Sequence, residues 1–178
     1  MATTNDQATA KRFIAQLSAN GAHVWQTTTE ELATTIYQAL SSLIPEDKLT
    51  DPVEIASFLE IDLAAANIVL SQQKPQGKTL LGLSRASLGI AATGTLALLS
   101  SPQNPTSLNF LVDYHLVLVN QNDLVTDLAE AMTRLTASGG CDARAINFVS
   151  GPSRTADIEQ TIQLGAHGPR HLWVFLLG

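Results

Sequence analysis

The sequence predicts an α/β fold: a single domain, residues 1–178, with an open, mostly parallel sheet sandwiched by helices. Three observations predict it. Segments with apolar residues at helical spacing alternate with short apolar runs. Several of those runs, among them His115 to Val119 and Leu172 to Leu177, are apolar nearly throughout instead of alternating with polar residues, as strands covered on both faces are. With 178 residues, 45% of them hydrophobic, the chain has enough apolar material for one core without staples.

The elements follow in order. Ala10, Phe13, Ile14 and Leu17 recur at helical spacing and Asn20-Gly21 closes the pattern, so a first helix runs from about residue 5 to 19. Ala22 to Gln26 reads as a short strand, after which Thr28 and Glu31 form a capping box for a helix with Leu32, Ile36, Leu40 and Leu43 on one face, ending before Pro45. Asp51-Pro52 starts a short helix through Leu59, which completes an N-terminal helical part at about 5–60. Asn67 to Leu70 and Thr79 to Leu83 are strands, and Ser84 to Ala86 a tight turn or kink. Leu88 to Ala91 and Leu96 to Leu99 are split by Thr93-Gly94-Thr95, where the glycine marks a bulge or a close approach to the backbone. Ser101 to Asn109, with two prolines, is the longest irregular stretch. His115 to Val119 is a strand, Asp123 caps a helix bearing Leu124, Leu128, Ala131 and Leu135, Ala145 to Ser150 is a strand, Asp157 to Leu164 a two-turn helix, and Leu172 to Leu177 the last strand.

Composition narrows the function. A net charge of -6 argues against a nucleic-acid or anionic-membrane surface, because both need clustered cations and the ten Lys and Arg are scattered. The most apolar run, Leu88 to Leu99, is too short to span a bilayer, and the polar start of the chain lacks the features of a secretory signal. One cysteine, Cys141, forms no internal disulfide and supplies too few thiolates for a zinc or iron-sulfur site, which suits a reducing cytoplasm. No histidines stand at metal-ligand spacing, so no metal is expected.

Polar chemistry concentrates in Gly151-Pro152-Ser153-Arg154-Thr155-Ala156-Asp157-Ile158-Glu159 and in Gly165-Ala166-His167-Gly168-Pro169. Ser153, Arg154 and Thr155, upstream of a helix N-terminus, suit a carboxylate or phosphate. Alternatively Ser153, Thr155 or Asp157 only caps that helix with Gln160, and Asp157 and Glu159 more than offset Arg154. His167 is the one catalytic candidate, as an acid, base or anion donor, against a purely structural role in its turn. Thr93-Gly94-Thr95 offers two hydroxyls and an approachable backbone. No phosphate-loop pattern and no Gly-x-Ser-x-Gly elbow is present.

Thr93-Gly94-Thr95, the His115 to Val119 strand, Gly151 to Glu159 and Gly165 to Pro169 resemble, in order and spacing, the lactate-utilisation (LUD) domain family, the LutC/YkgG group. The resemblance implies a variant of the NagB/RpiA/CoA-transferase-like fold and a cytosolic bacterial role in an iron-sulfur system that oxidises L-lactate to pyruvate. It places the clusters on partner iron-sulfur and oxidoreductase subunits, with no cofactor on this chain. The expected ligand-binding set is Thr93, Gly94, Thr95, Gly151, Ser153, Arg154, Thr155, Asp157, His167 and Gly168, with Arg154 contacting a small anion. Members usually carry an acidic residue before Thr-Gly-Thr and an arginine in the next loop; here Ala92 and the uncharged Ser101 to Asn109 stand instead, and the usual Leu-Pro is Leu111-Val112. A stand-alone enzyme or binding protein for a phosphorylated sugar or CoA ester, and a scaffold with a degenerate site, stay open as alternatives.

Overall fold

The computed structural model describes residues 4–73, 75, 79–137, 142–156, 162–164 and 168–178. Helix α1, Thr4–Ala19, leads to strand β1, His23–Thr27; helix α2, Leu32–Leu43, is followed by β2, Val53–Ala56, and β3, Ile68–Ser71. Next come β4, Thr79–Arg85, β5, Leu88–Ile90, β6, Thr95–Leu99, β7, Val112–Asn120, and β8, Leu124–Val125. Helix α3, Leu128–Ala137, precedes β9, Ile146–Val149, β10, Arg154–Ala156, β11, Ile162–Leu164, and β12, His171–Leu177.

Six strands form a parallel sheet in the order β1-β12-β7-β4-β2-β3. Its central strands β7 and β12 are apolar on both faces because both faces are covered. Leu116, Leu118, Trp173 and Phe175 pack toward α2 with Ile36 and Leu40. Val117, Val119, Val174 and Leu176 pack the other way, onto Phe13 and Leu17 of α1 and Leu96 and Leu98 of β6. A second sheet, β8-β5-β6-β9, lies on that side, and its far face buries Ala131 and Leu135 of α3. The chain is thus an α/β fold with a mostly parallel central sheet flanked by helices, to which the second sheet adds a layer.

Local chemistry explains the boundaries. Gly21, at φ +89°, closes α1; its N–H donates to Ser18 O and Ala22 N–H to Leu17 O, both at 3.0 Å, satisfying carbonyls that a helix end otherwise leaves bare. Before α2, the Glu31 backbone N–H donates to Thr28 Oγ1 at 3.3 Å, which is one half of the expected capping box.

Four local expectations are corrected. Residues 53–56 form a strand, not a helix: buried Val53 and Ile55 flank exposed Glu54, a period-two pattern that suits β-branched residues beside β3. β4 runs through Ser84 to Arg85 instead of turning there, because those residues pair with Val117 and Leu118. Asp123 and Leu124 precede the helix: Leu124 pairs with Gly89, and Asp127 Oδ1 accepts the Glu130 N–H at 3.0 Å. The helix expected over 157–164 is not what the described part shows, since Ile162–Leu164 pairs antiparallel with Arg154–Ala156. Apolar residues at 158, 162 and 164 satisfy a strand and a short helix alike.

Candidate functional site

The end of α1 is the organising feature of the site. Gly94, at φ +60°, occupies the β5–β6 turn, and a Cβ there would sit 2.6 Å from the Gln16 carbonyl carbon. Glycine is needed at this position both for the left-handed backbone and for the contact. A Cβ on Gly151, which follows β9, would likewise lie 2.6 Å from Asn20 O. Two loops therefore press their backbones against the last turn of one helix.

Polar bonds fix the junction. Asn20 Nδ2 donates to Thr93 O at 3.0 Å, and Arg154 Nη2 donates to Asn20 O at 3.2 Å. Thr95 Oγ1, in a residue only 6% exposed, shares hydrogen bonds with Thr93 Oγ1 at 2.7 Å and Ser150 Oγ at 2.8 Å. The Ser153 N–H donates to Pro169 O at 2.8 Å, and a Cβ on Gly168 would lie 3.1 Å from Ser153 Cβ.

Thr93, Gly94, Thr95, Gly151 and Arg154 thus converge on the end of α1, and Ser153 meets Gly168 beside them. Thr155 lies in β10 opposite Gln163. Asp157 and His167, like Cys141, lie outside the described residues. The guanidinium of Arg154, expected on a ligand anion, is directed at a carbonyl of the negative end of a helix. Phe13 and Leu17 are fully buried; at about 1.5–3 kcal/mol for each buried side chain, α1 is a core helix and not a lid.

Electrostatically the cluster is simple. Among Thr93, Gly94, Thr95, Ser150, Gly151, Asn20 and Arg154 only the arginine ionises, so the described part can orient an acceptor but trades no proton near neutral pH. Beside it, at the amino-terminal rim of the main sheet, Arg170 Nε lies 3.7 Å from Asp113 Oδ1. His171 stacks on Tyr114 at 4.3 Å. Burial, then the nearby His23 and Arg170 charges, lower the His171 pKa against the opposing pull of Asp113. Among the described residues no three His, Cys, Asp or Glu side chains are grouped to hold a metal ion, and no helix is long and apolar enough to cross a membrane.

His115 is buried completely, in the middle of the main sheet. Its Nε2 shares a 2.7 Å hydrogen bond with Ser84 Oγ, and Nδ1 has no hydrogen-bond partner among the described residues. Burial pushes its pKa down to about 4, so the ring is neutral. A serine and a histidine at this distance have the geometry of a nucleophile and its base; with both residues 0% exposed, the pair is sealed from substrate.

The carboxyl rim of the main sheet carries polar residues that sequence reasoning missed. Asn104 Nδ2 donates to Arg85 O and Leu99 O, each at 3.1 Å, while the Arg85 N–H donates to Asn104 Oδ1 at 3.4 Å. Arg85 Nη1 reaches Asn120 Oδ1 at 3.5 Å, and Asn120 Nδ2 donates to Asp123 Oδ2 at 2.6 Å. The available signal was a lone arginine ending an otherwise uncharged strand.

The LUD domain model matches residues 10–177. The chain is 35% identical over 92 residues to lactate utilization protein C of Halalkalibacterium halodurans, covering 50% of this chain and 40% of that protein. It is 34% identical over 92 residues to the uncharacterised protein YkgG of Escherichia coli, again covering 50% and 40%, and 38% identical over 98 residues to an uncharacterised protein of Neisseria meningitidis, covering 54% and 41%. The chain spans about two fifths of the length of these curated relatives. A crystal structure of a DUF162 family protein from Deinococcus radiodurans superimposes with a TM-score of 0.69 over 97% of this chain and 98% of the other at 17% identity, a likeness of fold. With a family model spanning α1 to β12, the chain belongs to the LUD domain family.

Proposed function

We propose that this chain is an accessory component of a cytoplasmic iron-sulfur system that oxidises L-lactate to pyruvate, and that it binds a small anionic ligand or a partner subunit. The observation that carries the reading is the match of nearly the whole chain to the LUD domain, together with relatives named for lactate utilisation. A single cysteine suits a protein whose partners hold the clusters.

The test is genetic and biochemical. Deleting the reading frame should abolish growth on L-lactate and leave growth on pyruvate intact, and the tagged chain should co-purify with an iron-sulfur protein from lactate-grown cells. Unimpaired growth on L-lactate after deletion, with no such partner recovered, refutes the proposal.

A further inference from the structure

The parallel sheet changes direction between β2 and β4. From β2 the chain moves outward to β3, whereas from β4 it moves the other way, to β7 and then β12. Adjacent parallel strands that lead in opposite directions leave a crevice beyond their carboxyl ends, where α/β folds bind ligands. The chain departs accordingly: after β2, Leu59, Ile61 and Leu63 pack on the α2 side, and after β4, Ala86 packs on the α1 side.

The crevice is a notch in the sheet. β2 stops opposite Gly82, while β4 continues to Arg85. Along the edge of β4 that β2 leaves unpaired, buried Ser57 Oγ donates to Leu83 O at 3.0 Å. Above it the Asn104 amide bonds both backbone groups of Arg85, as a neighbouring strand would. Side chains thus finish the edge that β2 leaves unpaired.

Arg85 ends β4 above the notch, its backbone facing the notch and its guanidinium reaching toward Asn120 of β7, and is the only Lys or Arg in any of the six strands of the main sheet. A guanidinium has five N–H donors, yet among the described residues the one side-chain hydrogen bond is the 3.5 Å contact with Asn120, and no ion pair forms. Asn120 is itself held by Asp123, so its carbonyl end faces the arginine and the nearby carboxylate is engaged elsewhere. A half-buried cation with spare donors, beside the switch point and flanked by the amides of Asn104 and Asn120, the second of which separates it from the Asp123 carboxylate, suits an oxyanion.

We propose that a small oxyanion, a carboxylate or a phosphate, binds beside this switch point with Arg85 as its charge contact. The placement deepens the anion-binding part of the proposed function and rests on it. The residues around Arg154 then serve to seat α1.

Pyruvate, L-lactate and inorganic phosphate, titrated separately at low ionic strength into the full chain, test it by calorimetry and by amide chemical shifts. At least one should bind, the arms telling a carboxylate from a phosphate. Arg85→Gln should weaken that binding about tenfold to a hundredfold, the range expected for a charged hydrogen bond, and Arg12→Gln, which removes an exposed cation on α1, should leave it within about twofold of the parent. The shift changes on the unmutated chain should centre on Arg85, Asn104 and Asn120, which reads the site even if Arg85→Gln folds poorly. Binding of none of the three, or shifts centred on Thr93, Ser150 and Arg154, overturns the placement. Loss of growth on lactate upon deletion, without binding of any of them, would sink this site and leave the accessory role standing.

Discussion

Acid should destabilise this protein through His115 specifically. In the folded chain burial holds the ring neutral, with a pKa near 4 against the ordinary 6.5. The unfolded chain is free to take up the proton, so protons favour unfolding. The penalty starts as pH falls below about 6.5 and is complete once it passes about 4. One group shifted this far costs roughly 1.4 kcal/mol per pH unit inside that window, hence roughly 2 kcal/mol at pH 5 relative to pH 8. His115→Gln keeps a partner for Ser84 Oγ and removes the titration. Urea unfolding of both proteins at pH 8 and pH 5 isolates the effect, because carboxylates and the other histidines contribute alike to each. The parent should lose about 2 kcal/mol more than the variant over that interval. Equal losses would mean that His115 protonates in the folded state, and the sealed reading of the Ser84–His115 pair would fail.

Three further outcomes are expected from chemical denaturation. Gly94→Ala forces a side chain into the Gln16 backbone at a positive φ and should cost about 3 kcal/mol or more; a cost below about 1 kcal/mol would show that α1 gives way easily. Thr95→Val deletes the hydroxyl that joins Thr93 to Ser150 and should cost about 1–3 kcal/mol, whereas a neutral result would mean that water replaces it. Asn104→Ala removes the side-chain bonds to Arg85 and Leu99. It should cost about 2 kcal/mol and speed hydrogen exchange at the Arg85 amide, and unchanged exchange there would argue against Asn104 as the closing group.

Long periodic segments were legible in the sequence, and short ambiguous ones were not. The strands β7 and β12 announce themselves because burial on both faces demands continuous apolar residues. Val53 to Ala56 does not, since four residues after a proline fit a helical turn as well as an edge strand, and the parallel partner β3 that decides the matter is remote in sequence. The second sheet was hidden for a similar reason: β6 and β9 pair across a gap no local pattern encodes. At the site, the glycine of Thr93-Gly94-Thr95 marked a bulge or a close approach to the backbone, but not which of the two, nor what approaches it. What approaches Gly94 is the Gln16 backbone, and Asn20 bonds Thr93 beside it, in a stretch whose own surroundings identify only a helix end. Arg85 and Asn104 went unnoticed because a notch is a property of strand order, visible only once all six strands are placed.

The seat of α1 also bears on how this chain reaches its native state. Asn20 bonds to Thr93 and Arg154, which lie 73 and 134 residues further along, and loops of that length must close before the bonds can form. Contacts so distant in sequence slow folding. During synthesis the apolar stripe of α1, with Phe13 and Leu17, emerges long before β6, β7 and β12 exist to cover it. Until β12 leaves the ribosome that stripe is open to chaperones and to other nascent chains, so weakening the glycine seat would show first as a loss of yield in the cell, ahead of any change in the finished protein.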